Sequence, residues 1–213
     1  MIITIDGPAG AGKSTVAKSA AGKLGFEYLD TGAIYRAATL KVLSKGIGLD
    51  DKPAIAKLIS KTKIRIAGAR VFLDNADVTD KIRDPQITSH VFHLANFERI
   101  RKTVNVKERE FARGKNIVTE GRDQGSVVFK NADFKFYLDA SPEERAKRRY
   151  AELVAKGGKT TLKKVLRDIM QRDQRDMSRD CSPLVIPEGA IVIDTTDLSI
   201  LQVVNRIVRN CRA

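Results

Sequence analysis

Tryptophan is missing from this chain of 213 residues, aromatic side chains make up only 6% of it, and cysteine and histidine occur twice each. So few rings leave little from which to build a stacking platform for single-stranded nucleic acid. Cys181 and Cys211 stand in unrelated settings without metal-like spacing, which argues against a disulfide framework and suits a reducing compartment. His90 and His93 lie three apart with no third ligand in register, so zinc is not expected and both read as packing or surface residues. No apolar run approaches the roughly 20 residues of a membrane span. Neither a basic lead-in nor a small-residue cleavage site marks a leader peptide. An N-K-x-D segment, which a guanine-reading switch would need, is also missing. The expectation is a soluble, cytoplasmic globular protein of α/β class that needs no membrane, and a monomer.

Acidic residues are the next shortage, 26 against 39 lysines and arginines, for a formal net charge of +13. Such a surface neutralises phosphates whatever base sequence they carry. Much of the arginine excess falls in discrete clusters, however, which suits a small, highly anionic ligand as well as it suits a polymer. Nucleic acid is therefore not a required partner.

What is present begins at the amino end. Ile2-Ile3-Thr4-Ile5-Asp6 is short, apolar and rich in β-branched side chains, and Gly7-Pro8-Ala9-Gly10-Ala11-Gly12-Lys13-Ser14 follows it as G-x-x-x-x-G-K-S, with Thr15 next. That is a phosphate-binding loop in its expected strand-to-helix setting. The glycines let successive backbone N–H groups turn inward around a polyphosphate, and the helix starting near Lys13 adds the positive end of its dipole. Lys13 then reaches the β- and γ-phosphates, while the Ser14 hydroxyl is a candidate Mg²⁺ ligand. The loop specifies phosphate without identifying the acceptor.

Five β-like runs, at 2–5, 26–29, 116–119, 134–138 and 190–193, alternate with helical spacing at 14–24, 33–45 and 97–113. Alternation of this kind implies a parallel sheet covered on both faces. Two segments break it. From Lys63 to Arg83 the pattern Ile64, Ile66, then Val71, Leu73, then Val78, with turn candidates Gly68-Ala69 and Asp74-Asn75, predicts a small antiparallel meander. From Ser141 to Asp180 two charged helices are split by Gly157-Gly158; Ser141-Pro142-Glu143-Glu144 supplies a cap, a proline at N1 and early acids, and Thr160 or Thr161 caps the second. A glycine-hinged helical pair has the form of a closing lid.

Four constellations carry chemistry. Arg145, Arg148 and Arg149 fall at i, i+3 and i+4, so they form either a solvated basic face or a set converging on one anion, such as a phosphoryl group in transfer. Arg172, Asp176 and Arg179 make an Arg-Asp-Arg stripe able to pair internally or to hold a ribose hydroxyl and a phosphate. Glu120-Gly121-Arg122-Asp123 follows the third core strand, where ligands of open parallel sheets sit. Arg122 suits phosphate. Asp123 can accept from the exocyclic amine of cytosine, which uracil lacks, or can bond its own turn backbone. Asp30-Thr31-Gly32-Ala33-Ile34-Tyr35-Arg36 follows the second strand, with Thr31 at a helix cap and Arg36 one turn inside, directed to the cleft.

Gly7 to Thr15, the Asp30 to Arg36 segment, Ile82-Arg83, Glu120 to Phe129, Tyr137 to Ser141 and Arg172 to Asp176 together resemble bacterial-type cytidylate kinase, a P-loop nucleoside monophosphate kinase family, in order and spacing over essentially the whole chain. The resemblance implies a three-layer P-loop fold with a five-stranded parallel sheet in order 2-3-1-4-5, a helical lid, and an antiparallel insert in the monophosphate-binding region. It divides a single domain into a core (1–30, 102–140 and 181–213), a monophosphate-binding region (31–101, insert at about 63–83) and a lid (about 141–180). It further implies transfer of the ATP γ-phosphoryl group to CMP and dCMP with Mg²⁺. Residues Gly7, Pro8, Ala9, Gly10, Ala11, Gly12, Lys13, Ser14 and Thr15 then hold ATP, and Lys13, Arg145, Arg148, Arg149 and Arg179 surround the reacting phosphates. For CMP it points to Thr31 and Tyr35, to Arg36, Arg122 and Arg179 at the phosphate, to Arg101 and Asp123 at cytosine, and to Arg172 and Asp176 at the sugar. The chain departs from the family pattern near the base, with Phe92 in place of a small hydroxyl residue and Glu98 in place of proline.

Overall fold

A computed structural model describes residues 1–155 and 157–212; Lys156, just before the Gly157-Gly158 break, and Ala213 lie outside the described residues. The chain runs β1 (Ile2–Asp6), α1 (Lys13–Leu24), β2 (Glu27–Asp30), α2 (Thr31–Ser44), α3 (Lys52–Lys61), β3 (Ile64–Ala67), β4 (Arg70–Leu73), β5 (Ala76–Asp77), α4 (Pro85–Ala95), α5 (Glu98–Ala112), β6 (Ile117–Gly121), β7 (Phe134–Asp139), α6 (Pro142–Ala155), α7 (Leu162–Met177), β8 (Ile191–Asp194) and α8 (Ile200–Arg212). A π-helical turn at Gln124–Val128 follows β6.

Five strands form one sheet in the order β2-β6-β1-β7-β8; with the three insert strands set aside, this is the 2-3-1-4-5 order of the expected P-loop fold. β1 is central and pairs in parallel with both neighbours, Ile3 opposite Val118 and opposite Phe134. Its alternate residues Ile3 and Ile5 are fully buried, as are Phe136 and Leu138 of β7. They pack against Val16, Ala17, Ala20 and Ala21 of α1 and against Val203, Val204, Ile207 and Val208 of α8. The small side chains on α1 allow its axis to lie close to the sheet behind the loop it follows. α8 shows an i, i+4 apolar stripe of its own and completes this layer.

The chain divides into two compact units, residues 1–28 with 116–213, and residues 29–115. In the first, α6 and α7 share a small core of Ala146, Val165 and Ile169, with Tyr150, Leu153 and Leu166 against it. Ser141 Oγ accepts from Glu144 N at 3.3 Å and Thr161 Oγ1 from Lys164 N at 3.3 Å, capping the two helices as their sequences predict. In the second, the predicted meander is a three-stranded antiparallel sheet, β3-β4-β5, with Ile66 opposite Val71. Val71, Leu73, Val78 and Ile82 bury its inner face against Ala33 and Ala37 of α2. One local expectation is corrected here: Asp30, not Thr31, caps α2, because the carboxylate Oδ1 accepts from Ala33 N at 2.9 Å and leaves Thr31 as the first helical residue. Among the described residues no helix is long and apolar enough to cross a membrane.

Candidate active site

The turn between β1 and α1 is shaped by close approach. Gly7 has φ +147°, and a Cβ there would stand 2.0 Å from the Leu138 carbonyl oxygen, so no larger residue fits. Gly10, at φ +80°, faces α6, where a Cβ would come within 3.1 Å of Arg145 Cβ. Lys13 then opens α1, 5% exposed, and its Nζ donates to Pro8 O at 2.6 Å, closing the loop on itself. Burial, then the nearby Arg122 charge, pull the Lys13 pKa down to about 7. Asp6, the buried last residue of β1, accepts from Gln124 N at 2.9 Å and Gly125 N at 2.7 Å, anchoring the π-helical turn. Burial nevertheless pushes its pKa up to about 6. Ser14 Oγ donates to Glu120 Oε1 at 2.8 Å. Two hard oxygens thus stand together beside the loop, the donor chemistry that Mg²⁺ takes alongside phosphates and water, so the residues present fit that ion.

A second centre joins the end of β6 to the end of α7. Asp176 accepts from Arg122 Nε at 2.8 Å and from Arg179 Nη2, so one carboxylate serves two guanidinium groups. Burial alone would raise the Asp176 pKa, but the charges of Arg122, Arg179 and Arg172 prevail and hold it below the ordinary carboxylate range. Against the same desolvation, the Asp176 charge raises that of Arg122. Arg172 keeps exposed surface, yet its guanidinium stands deep enough among protein groups that burial, and then the Arg122 charge, lower its pKa to about 10. Three guanidiniums around one carboxylate leave the cluster cationic, a standing attraction for an anion. Asp123, between Arg122 and the π-helical turn, is 3% exposed.

The three arginines of α6 go to three different places. Arg145 donates to Ala140 O at 2.9 Å and Ala9 O at 3.0 Å and pairs with Asp173. Arg148 donates to Glu144 Oε1 at 3.0 Å, Thr195 Oγ1 at 3.1 Å, Thr195 O at 2.6 Å and Thr196 O at 3.2 Å, gripping the loop after β8. Arg149 pairs with exposed Glu152 at 2.8 Å. Convergence on a single anion, one of the two readings open from their spacing, is thus not the arrangement here. Their stems share a face, but local acceptors decide where each fork ends.

In the second unit, considered by itself, Arg36 pairs with Asp30 at 3.0 Å, and its buried Nε donates to no group among the described residues. Buried Arg101 donates to Ala95 O at 2.9 Å, with its guanidinium 5.6 Å from the Tyr35 ring centroid. A planar cation over an aromatic face is stabilised electrostatically and held in one orientation.

Sequence reasoning gave no role to Asp6, Glu120 or Asp173. The signal for Asp6 was an acid ending an apolar strand just before a phosphate loop; for Asp173, an acid one turn before Asp176 on the same helix. A family model described as cytidylate kinase matches residues 3–213. A protein named cytidylate kinase from Caldanaerobacter subterraneus subsp. tengcongensis is 53% identical over 205 residues, covering 96% of this chain and 92% of that one. Another of that name from Rhodopirellula baltica is 45% identical over 214 residues, covering 99% and 93%. Among solved structures, shikimate kinase from Bacteroides thetaiotaomicron superposes with a TM-score of 0.54 at 14% identity, over 100% of this chain and 99% of the other, a likeness of fold alone.

Proposed function

The chain belongs to the cytidylate kinase family, and from that premise we propose that it transfers the γ-phosphoryl group of ATP to CMP and dCMP, giving ADP with CDP or dCDP. The single observation that carries the reading is the cationic cluster around Asp176 in the same unit as the phosphate loop: one feature suits a triphosphate, the other a second anion.

In this reading residues 7–15 hold ATP, with backbone N–H groups and the α1 dipole facing its phosphates and Lys13 balancing the charge between β and γ. Ser14 would hold Mg²⁺, with Glu120 orienting the hydroxyl. When bound, the ion neutralises charge developing between the β- and γ-phosphates. A phosphate oxygen of CMP forms the new bond to the γ-phosphorus as the bond to the β,γ-bridging oxygen breaks, and ADP leaves with that oxygen. Arg122 and Arg179 position the accepting phosphate, Arg172 and Asp176 the sugar, and Asp123 accepts from the cytosine amine. Arg36 and Arg101 carry what the resemblance assigns to their positions, phosphate and cytosine, and Thr31 and Tyr35 go with them. Arg145 serves the loop, Arg148 the segment after β8, and Arg149, whose pair with Glu152 is exposed and weak, is left available to swing to the reacting group. Residues 141–180 act as the lid that excludes water.

Coupled detection of ADP release with CMP, dCMP, UMP, AMP and GMP tests this. CMP and dCMP turn over and UMP is much poorer. Equal or better use of UMP defeats the selectivity, and failure of every monophosphate defeats the function.

A further inference from the structure

Ala9 is a phosphate-loop residue whose two backbone polar groups are both taken by the helical pair. Its N–H donates to Asp173 Oδ1 on α7 at 3.1 Å, and its carbonyl accepts from Arg145 Nη1 on α6 at 3.0 Å. The same nitrogen of Arg145 pairs with Asp173 Oδ2, while Arg145 Nε reaches Ala140 O at the exit of β7. The ring so closed is buried, its two side chains 6% and 9% exposed. Gly10 abuts Arg145 directly, so the loop and α6 have no slack between them. A buried carboxylate within hydrogen-bond reach of a loop shaped for polyphosphate repels that ligand unless its charge is cancelled, and Arg145 cancels it.

Resting on the reading of this loop as the ATP site, we infer that Asp173 is a positioning residue for phosphoryl transfer. It acts through Ala9 and Arg145, fixing the first turn of the phosphate loop to both helices, and ATP tolerates its charge only while Arg145 neutralises it. A plain structural brace makes a different forecast. Loss of either partner would then weaken the fold without sorting by the sign of the charge left behind.

The test titrates ATP at saturating CMP, and CMP at saturating ATP, on the full chain. Arg145→Gln leaves Asp173 unopposed and raises KM for ATP about ten-fold or more, with KM for CMP within about two-fold. Adding Asp173→Asn removes the stranded charge and recovers at least about three-fold of the lost ATP affinity, although a second native group has gone. Asp173→Asn alone keeps an oxygen for Ala9 N–H and leaves a cation beside the triphosphate, so KM for ATP holds or falls while kcat drops as the loop loosens. A double variant no better for ATP than Arg145→Gln, or an Asp173→Asn enzyme whose two KM values rise together, overturns the inference. Should Arg145→Gln not fold, Arg145→Lys reads the same quantity: retention of charge keeps KM for ATP within about three-fold, and a ten-fold rise overturns the inference. If the wild type phosphorylates no monophosphate, the proposed function falls, and calorimetric ATP titration of the same variants still decides the role of Asp173.

Discussion

Asp176→Asn isolates the charge balance on which the second cationic centre depends. The Asp176 side chain is 3% exposed, and the partners it serves, Arg122 and Arg179, are 16% and 8% exposed. Asparagine keeps the shape and one acceptor oxygen but removes the carboxylate that balances Arg122, Arg179 and the nearby Arg172. Removing one partner of a buried pair costs about 3–5 kcal/mol. The lower end applies here, because water reaches part of Arg122 and the amide oxygen still accepts one hydrogen bond. In a chain of this length each kcal/mol moves Tm by about 2–4 °C, so about 3 kcal/mol lowers it by roughly 6–12 °C. Scanning calorimetry of the free protein at pH 7 and low salt reads this directly.

The same measurement carries two internal checks. An anion arriving at the unbalanced arginines replaces the missing charge, so inorganic phosphate, which has no sugar for Asp176 to hold, raises Tm more in the variant than in the wild type. The sign with pH is also fixed. The folded-state pKa of Asp176 lies below its unfolded value, so its contribution is complete above the unfolded pKa of about 3.9 and is lost as pH falls through the lower, folded value. The gap between wild type and variant therefore closes in acid. A Tm within 2 °C of wild type, by the same scale of about 2–4 °C per kcal/mol, or a gap that persists unchanged at low pH, refutes the account of the cluster.

Two further outcomes follow from neighbouring groups. Lys13 has its pKa drawn down to about 7 in the free protein, and a bound triphosphate restores the charged form, so ATP binding takes up close to one proton at pH 8 and little at pH 6. Calorimetric titration in buffers of different ionisation enthalpy measures that uptake, and enthalpies independent of buffer at pH 8 would contradict it. Arg148→Met removes the grip on Thr195 and Thr196 and costs about 1–3 kcal/mol of stability with kcat within about three-fold. A hundred-fold loss of kcat in a folded Arg148→Met enzyme would return that arginine to the reacting phosphate.

What the sequence discloses here is what is local. The phosphate loop declares itself because the conformations at Gly7 and Gly10 and the helix that Lys13 opens are demands of consecutive residues. The meander shows through its alternation, whereas α3 and α4 are not among the expected helices, although Asp51 and Asp84 with a proline just inside each are local start signals that could have found them. Side-chain destinations are not local. Asp6 meets Gln124 across 118 residues of chain, and Ala9 meets Asp173 across 164, so no spacing rule joins either pair. The arginines of α6 make the same point from the other side, since their spacing sets where the stems lie and the fold sets what the forks find.

A physical regularity links Asp6, Glu120 and Asp173, to which the sequence assigned no role, with Asp176, to which it did. A site rich in cations and inward-turned N–H groups has to stay folded before its anion arrives, and in a chain with 39 basic residues against 26 acids the counter-charges are scarce. Asp6 takes two N–H groups, Glu120 the Ser14 hydroxyl, Asp173 an arginine with a loop N–H, and Asp176 two arginines. Each buried carboxylate occupies donors of the kind a phosphate would seek. Ligand binding at the Asp176 cluster is then an exchange of counter-charges, with that carboxylate giving up or sharing its donors, whereas Arg145 stays on Asp173. The variants that reveal the site best are therefore those that change an acid and leave its cations in place.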